Sequence, residues 1–158
     1  SMIPNCVSYD PTFAYEVSVI VQDGMRRMFQ EGEDVFYYIT VENENYTHPE
    51  MPEGAEEGIR KGLYLLRDGG ESARKVQLMG SGAILREAIA AANILEQDFG
   101  VSADVWSATS FSELRRDGVD CARWNRLNPE KEPRIPWVTR CLRDRAGRSY
   151  CASPRRIR

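Results

Sequence analysis

Phe13, Val17, Ile20, Val21, Met25 and Met28 recur at three- and four-residue spacing and mark one apolar face of a helix. Asp10-Pro11 supplies its start: Asp offers a capping oxygen, and Pro lacks the amide that a first helical residue leaves unpaired. Gly32 stands where such a helix would stop. Before it, Cys6-Val7-Ser8-Tyr9 is a short β-type run. After it, Val35-Phe36-Tyr37-Tyr38-Ile39-Thr40-Val41 is apolar nearly throughout, the pattern of a strand covered on both faces. Strand, helix and strand in this order predict a βαβ unit with its two strands parallel.

From Glu42 to Gly62 the pattern changes to a polar stretch dotted with Pro and Gly, which predicts a linker. A second unit follows. Leu63-Tyr64-Leu65-Leu66 is a strand candidate, Asp68-Gly69-Gly70 a turn, and Lys75-Val76-Gln77-Leu78-Met79 a strand. Gly80-Ser81-Gly82 makes the turn into an amphipathic helix with Ile84, Leu85, Ala88, Ile89, Ala92, Leu95 and Phe99 on its apolar face, stopped by Gly100. Ala103 to Ala108 is the next strand. Ser110 and Glu113 form a capping box for a helix that Gly118 interrupts and Asn128-Pro129 ends. Pro136 opens a last helix with Val138 and Leu142 on one face. The predicted class is α/β: two partial βαβ-type parallel-sheet units joined by an extended linker. Their bounds are residues 3–45, linker 46–61 and residues 62–142. Residues 143–158 form a basic tail predicted to be disordered.

The chain has 158 residues, 42% of them apolar, enough for a core. Its net charge of −3 conceals an asymmetry. From Arg140 onward seven arginines face only Asp144, a balance of +6 that leaves −9 on the rest. No apolar run is long enough to span a bilayer, and no stretch resembles a signal peptide. Ser1-Met2 reads as a tag remnant before a start codon. Cys6, Cys121, Cys141 and Cys151 lack metal-binding spacing and read as reduced thiols, which predicts a cytoplasmic protein.

Candidate chemistry is sparse. Gly80-Ser81-Gly82 could approach a phosphate at a helix N-terminus, but the third glycine of the dinucleotide fingerprint is replaced by Leu85, so a plain turn is expected. Glu42, Glu44, Glu50, Glu53, Glu56 and Glu57 form an acidic cluster that could hold Mg²⁺ if rigid elements forced it together. In a linker beside Arg60 and Lys61 it reads instead as a solvated, partly ion-paired segment. His48 is the only histidine, so a zinc site or a Ser-His-Asp triad would rest on it alone. Tyr37, Tyr38, Tyr46, Trp106, Trp124 and Trp137 are scattered over different elements and read as packing residues.

Six blocks, IPNCVSYDPTFAYEV, DVFYYITVENENY, MPEGAEEGIRKG, KVQLMGSGAILREAI, SADVWSATSFSELRRDG and ARWNRLNP, together resemble the homodimeric, bacterial-type pyruvate dehydrogenase E1 component. The resemblance runs from Ile3 to about Leu142 and implies a transketolase-like fold. It places residues 3–45 at the end of the middle, pyrimidine-binding domain and residues from 62 onward at the start of the C-terminal domain. It implies thiamine diphosphate and Mg²⁺ in the full-length family, a homodimer, and E2 dihydrolipoyl acetyltransferase as partner. The implied reaction is oxidative decarboxylation of pyruvate with acetyl transfer to lipoyl-E2. No catalytic, cofactor-binding or metal residue of the family is matched in this chain; Asp10, Glu16 and Gly80-Ser81-Gly82 match its pattern in what read as structural roles. The expectation is therefore a fragment that is inactive alone and binds no cofactor, with a non-catalytic dimerisation or E2-assembly module as the alternative.

After Leu142 the sequence RDRAGRSYCASPRRIR departs from the family pattern, which requires another apolar strand there. Its composition suggests a frameshift near residues 142–146, with a genuine basic tail as the alternative. No membrane and no nucleic-acid partner are expected, because nothing in the globular part interleaves aromatic and basic residues.

Overall fold

The computed structural model describes residues 3–145 and 147–151. Its elements are β1 (Cys6–Tyr9), α1 (Ala14–Met25), β2 (Phe36–Ile39), α2 (Ala55–Lys61), β3 (Tyr64–Arg67), β4 (Lys75–Gly80), α3 (Ala83–Phe99), β5 (Ser102–Ser107), α4 (Phe111–Leu127), α5 (Trp137–Leu142) and β6 (Arg148–Cys151). One π-helical turn, Arg26–Gln30, extends α1.

Two sheets result. β1 and β2 pair in parallel, from Cys6 opposite Phe36 to Tyr9 opposite Ile39. The second sheet has the order β3-β5-β4-β6. β4 and β5 are parallel, from Lys75 opposite Ser102 to Gly80 opposite Ser107, with α3 as their crossover. β3 runs antiparallel to β5. Both βαβ units thus form where the periodicity puts them. The stop at Gly100 also holds: its φ of 61° is the left-handed conformation that ends α3.

The linker differs from its expected extended form. Ala55–Lys61 is helical, and Ala55, Gly58 and Ile59 are buried. Ala55 and Ile59 join Val7, Tyr9 and Ile20 of the first unit and Tyr64 of the second in one apolar cluster. The helix was hidden because seven residues are too few for a period. Its charges suit its dipole, with Glu56 and Glu57 in the first turn and Arg60 and Lys61 in the last. Gly62 then turns the chain at φ 96°, where a Cβ would lie 2.4 Å from the Ser110 carbonyl oxygen. A second cluster joins Phe13 to Leu85, Ala92, Ala103 and Val105, so the first unit also inserts into the core of the second.

Three further expectations are corrected. β2 is covered on one face only: Tyr37 and Ile39 pack inward, whereas Phe36 and Tyr38 are 44% and 60% exposed. α4 runs unbroken through Gly118, where an added Cβ would meet nothing within 4 Å. The tail, predicted disordered, carries β6, which pairs in parallel with β4 from Val76 opposite Arg148 to Met79 opposite Cys151. An edge strand is built on backbone hydrogen bonds and tolerates polar side chains, so its lack of apolar residues did not prevent it. Residues 146 and 152–158, with Arg155, Arg156 and Arg158, lie outside the described residues.

Docking of α2 gives a direct test. Ile59→Ala removes a side chain with no exposure and should lower stability by about 2–4 kcal/mol in urea denaturation. A change below about 0.5 kcal/mol would mean that α2 does not pack as described.

Candidate functional site

In α/β folds ligands bind beyond the carboxyl ends of the parallel strands. Here the ends of β1, β4 and β5 converge. The Asp10 amide donates to the Thr109 carbonyl at 2.8 Å, and the Gly82 amide donates to the Asp10 carbonyl at 3.0 Å. The Ala108 amide donates to the Gly80 carbonyl at 2.8 Å. The Thr12 hydroxyl donates to the Gly82 carbonyl at 2.8 Å.

Glu16 lies at the centre of this junction, with no solvent exposure. Its Oε2 accepts the amides of Thr12 (2.5 Å) and Phe13 (3.0 Å). Its Oε1 accepts the hydroxyls of Tyr64 on β3 (2.6 Å) and Ser107 on β5 (2.6 Å). The carboxylate therefore caps α1 at its N-terminus and ties that helix to two strands of the other unit. Tyr15 and Tyr64 share a hydrogen bond at 2.7 Å. Burial first, and Glu16 next, push the Tyr64 phenol well above its ordinary range. Burial pushes Tyr15 up to about 12. Both hydroxyls stay protonated, as donation around a carboxylate requires.

Asp10 accepts a hydrogen bond from Thr40. Its carboxylate closes the Gly80-Ser81-Gly82 turn: a Cβ on Gly82 would lie 2.7 Å from Asp10 Oδ1. A strap from residues 42–48 crosses the junction. Tyr46 donates to the Thr12 carbonyl, and Arg86 lies 4.5 Å from the Tyr46 ring and pairs with Glu44 at 2.8 Å. His48 Nδ1 accepts the Ala14 amide at 3.1 Å, a second contact from the strap to the start of α1.

The acidic cluster is dispersed. Glu44 pairs with Arg86, and Glu57 pairs with Lys61 at 3.3 Å. Among the described residues no group of three or more His, Cys, Asp or Glu side chains is placed to hold a metal ion. The Ser110 oxygen caps α4 by accepting the Glu113 amide at 3.1 Å, but the expected return contact is not made, because the Ser110 amide donates to Gly62. Glu113 Oε1 has no hydrogen bond and faces Arg116 as an ion pair at 3.0 Å. Burial pushes the Glu113 carboxyl above the usual carboxylate range despite that neighbour. Among the described residues no helix is long and apolar enough to cross a membrane.

Residues 1–49 match the family model of the pyruvate dehydrogenase E1 component middle domain, and residues 62–150 match that of the transketolase-like C-terminal domain. The chain is 59% identical over 148 residues to the pyruvate dehydrogenase E1 component of Pseudomonas aeruginosa, covering 93% of this chain and 17% of that protein. The Escherichia coli protein of the same name is 59% identical over 143 residues, covering 90% and 16%. A solved transketolase variant from Pichia stipitis superimposes with a TM-score of 0.54 at 17% identity, over 94% of this chain and 21% of that one, and shows the fold alone. Fold and C-terminal match together define a transketolase-like α/β protein. Within that class the chain belongs to the pyruvate dehydrogenase E1 component family, and it spans about a sixth of the length of the curated relatives it matches.

The residues of the junction do not fit a diphosphate. The Gly80-Ser81-Gly82 turn presents the Asp10 carboxylate, and its Gly82 amide is already donated to Asp10. Among the described residues, the one buried side-chain oxygen without a hydrogen bond, Glu113 Oε1, belongs to another carboxylate. No step of cofactor chemistry is therefore assigned to these residues.

Glu16→Gln keeps the shape but turns an amide donor toward groups that already donate. It should lower stability by about 3 kcal/mol in urea denaturation. A loss under about 1 kcal/mol would show that the four contacts are not all made.

Proposed function

We propose that this chain is the junction between the middle and C-terminal domains of a pyruvate dehydrogenase E1 subunit. In this reading residues 3–45 end the middle domain and residues 62–142 begin the C-terminal one. The observation that carries it is the 59% identity running through both family matches in their order. The whole subunit would decarboxylate pyruvate with thiamine diphosphate and Mg²⁺, pass the acetyl unit to lipoyl-E2, and work as a cytoplasmic homodimer. The part played here is mechanical: α1, α2 and β5 fix one domain against the other. The cofactor's ligands would belong to the remainder of such a subunit. Calorimetric titration of thiamine diphosphate with Mg²⁺ into the 158-residue chain should give no heat of binding in the micromolar range. Micromolar affinity would refute the mechanical assignment.

A second reading, a non-catalytic assembly module, is favoured by the uncovered apolar surface of the first unit. Phe29, Met25 and Tyr38 are 79%, 56% and 60% exposed there. Self-association through it should raise the molar mass seen in size-exclusion chromatography with light scattering as concentration rises. A monomer that is indifferent to concentration removes this reading.

A further inference from the structure

The side chains of Gln77, Asp104 and Trp106 form a buried polar network on the C-terminal sheet. Asp104 is fully buried on β5. Its Oδ1 accepts the Gly69 amide at 2.8 Å and faces Lys75 Nζ at 2.9 Å. Its Oδ2 accepts Gln77 Nε2 at 2.9 Å, and Gln77 Oε1 in turn accepts Trp106 Nε1 at 2.7 Å. Within the C-terminal unit this network departs from the usual apolar cover of a parallel sheet. A buried carboxylate holds its charge only while paired and hydrogen-bonded.

Arg145 completes that pairing from outside the sheet. It lies three residues beyond α5, inside the stretch that the C-terminal family model matches. Its Nη1 lies 2.7 Å from Asp68 Oδ2 and 3.5 Å from Asp104 Oδ2. Its guanidinium stands 5.7 Å from the Trp106 ring centroid. Three residues later β6 begins its pairing with β4. Polar β6 brings little apolar burial of its own: Tyr150 is 53% exposed and Cys151 is exposed.

We propose that Arg145 is the latch that docks β6. Its guanidinium anchors the segment after α5 to Asp68 and Asp104 and lies over Trp106, and the β4–β6 ladder closes because that anchor holds the strand in register. The arrangement makes the edge of the sheet separable. Loss of the anchor frees β6, while Lys75 still neutralises Asp104 and the rest of the sheet stays folded. Depression of the Asp68 carboxyl by Arg145 agrees with this geometry.

The test is amide hydrogen exchange followed by mass spectrometry on the full chain. Arg145→Met keeps an apolar stem over Trp106 and removes the charge. It should speed exchange at residues 148–151 about tenfold or more, with β1, β2 and β5 unchanged. Arg145→Lys should restore most of the protection. Unchanged exchange at 148–151 in folded Arg145→Met would overturn the latch, as would free exchange there in the unaltered chain. Should Arg145→Met loosen the whole chain, Asp68→Asn decides, because it removes only the exposed carboxylate. A selective rise at 148–151 supports the latch, and no rise overturns it.

Discussion

One carboxylate, that of Glu16, holds the account together. A buried carboxylate sacrifices several kcal/mol of hydration. Hydrogen bonds to a charged acceptor return about 1.5–3 kcal/mol each. Four of them, from Thr12, Phe13, Tyr64 and Ser107, outweigh the loss only while all are made. The donors come from the start of α1, from β3 and from β5. Their simultaneous presence fixes where the first unit sits on the second more narrowly than apolar packing could. The shared clusters around Ile59 and Phe13 supply adhesion, and the carboxylate supplies geometry.

The same interaction explains why the junction has scaffold chemistry. Asp10 is committed to Thr40 and to the glycine turn, His48 to the Ala14 amide, and Tyr46 to the Thr12 carbonyl. These groups would qualify as candidates by residue type alone. Their partners show them spent on holding strand ends, helix starts and the strap together.

Both βαβ units were legible because α1 and α3 are long enough to show a helical period, and because β2, β4 and β5 are dense in apolar residues. What escaped had physical causes. α2 is too short for a period. The buried line of α1 passes through Glu16 and Asp23, which any polarity pattern assigns to solvent. Asp23 is paid for by Arg26 at 2.7 Å and by the Tyr37 hydroxyl at 2.7 Å, contacts that no spacing within α1 reveals. The spacing of Glu16 three residues after Phe13 was the available signal, since a Glu there can accept the helix's free amides. β6 escaped because an edge strand needs a backbone neighbour more than an apolar sequence.

The central claim is that the two units, separate in sheet topology, unfold as one body because Glu16 spans them. Native-state hydrogen exchange across low concentrations of urea tests this most directly. The account predicts that the amides of β1 and β2 and those of β4 and β5 merge into one opening reaction with one free energy and one urea dependence. Exchange through β1 and β2 at a much lower free energy, with β4 and β5 still protected, would contradict it.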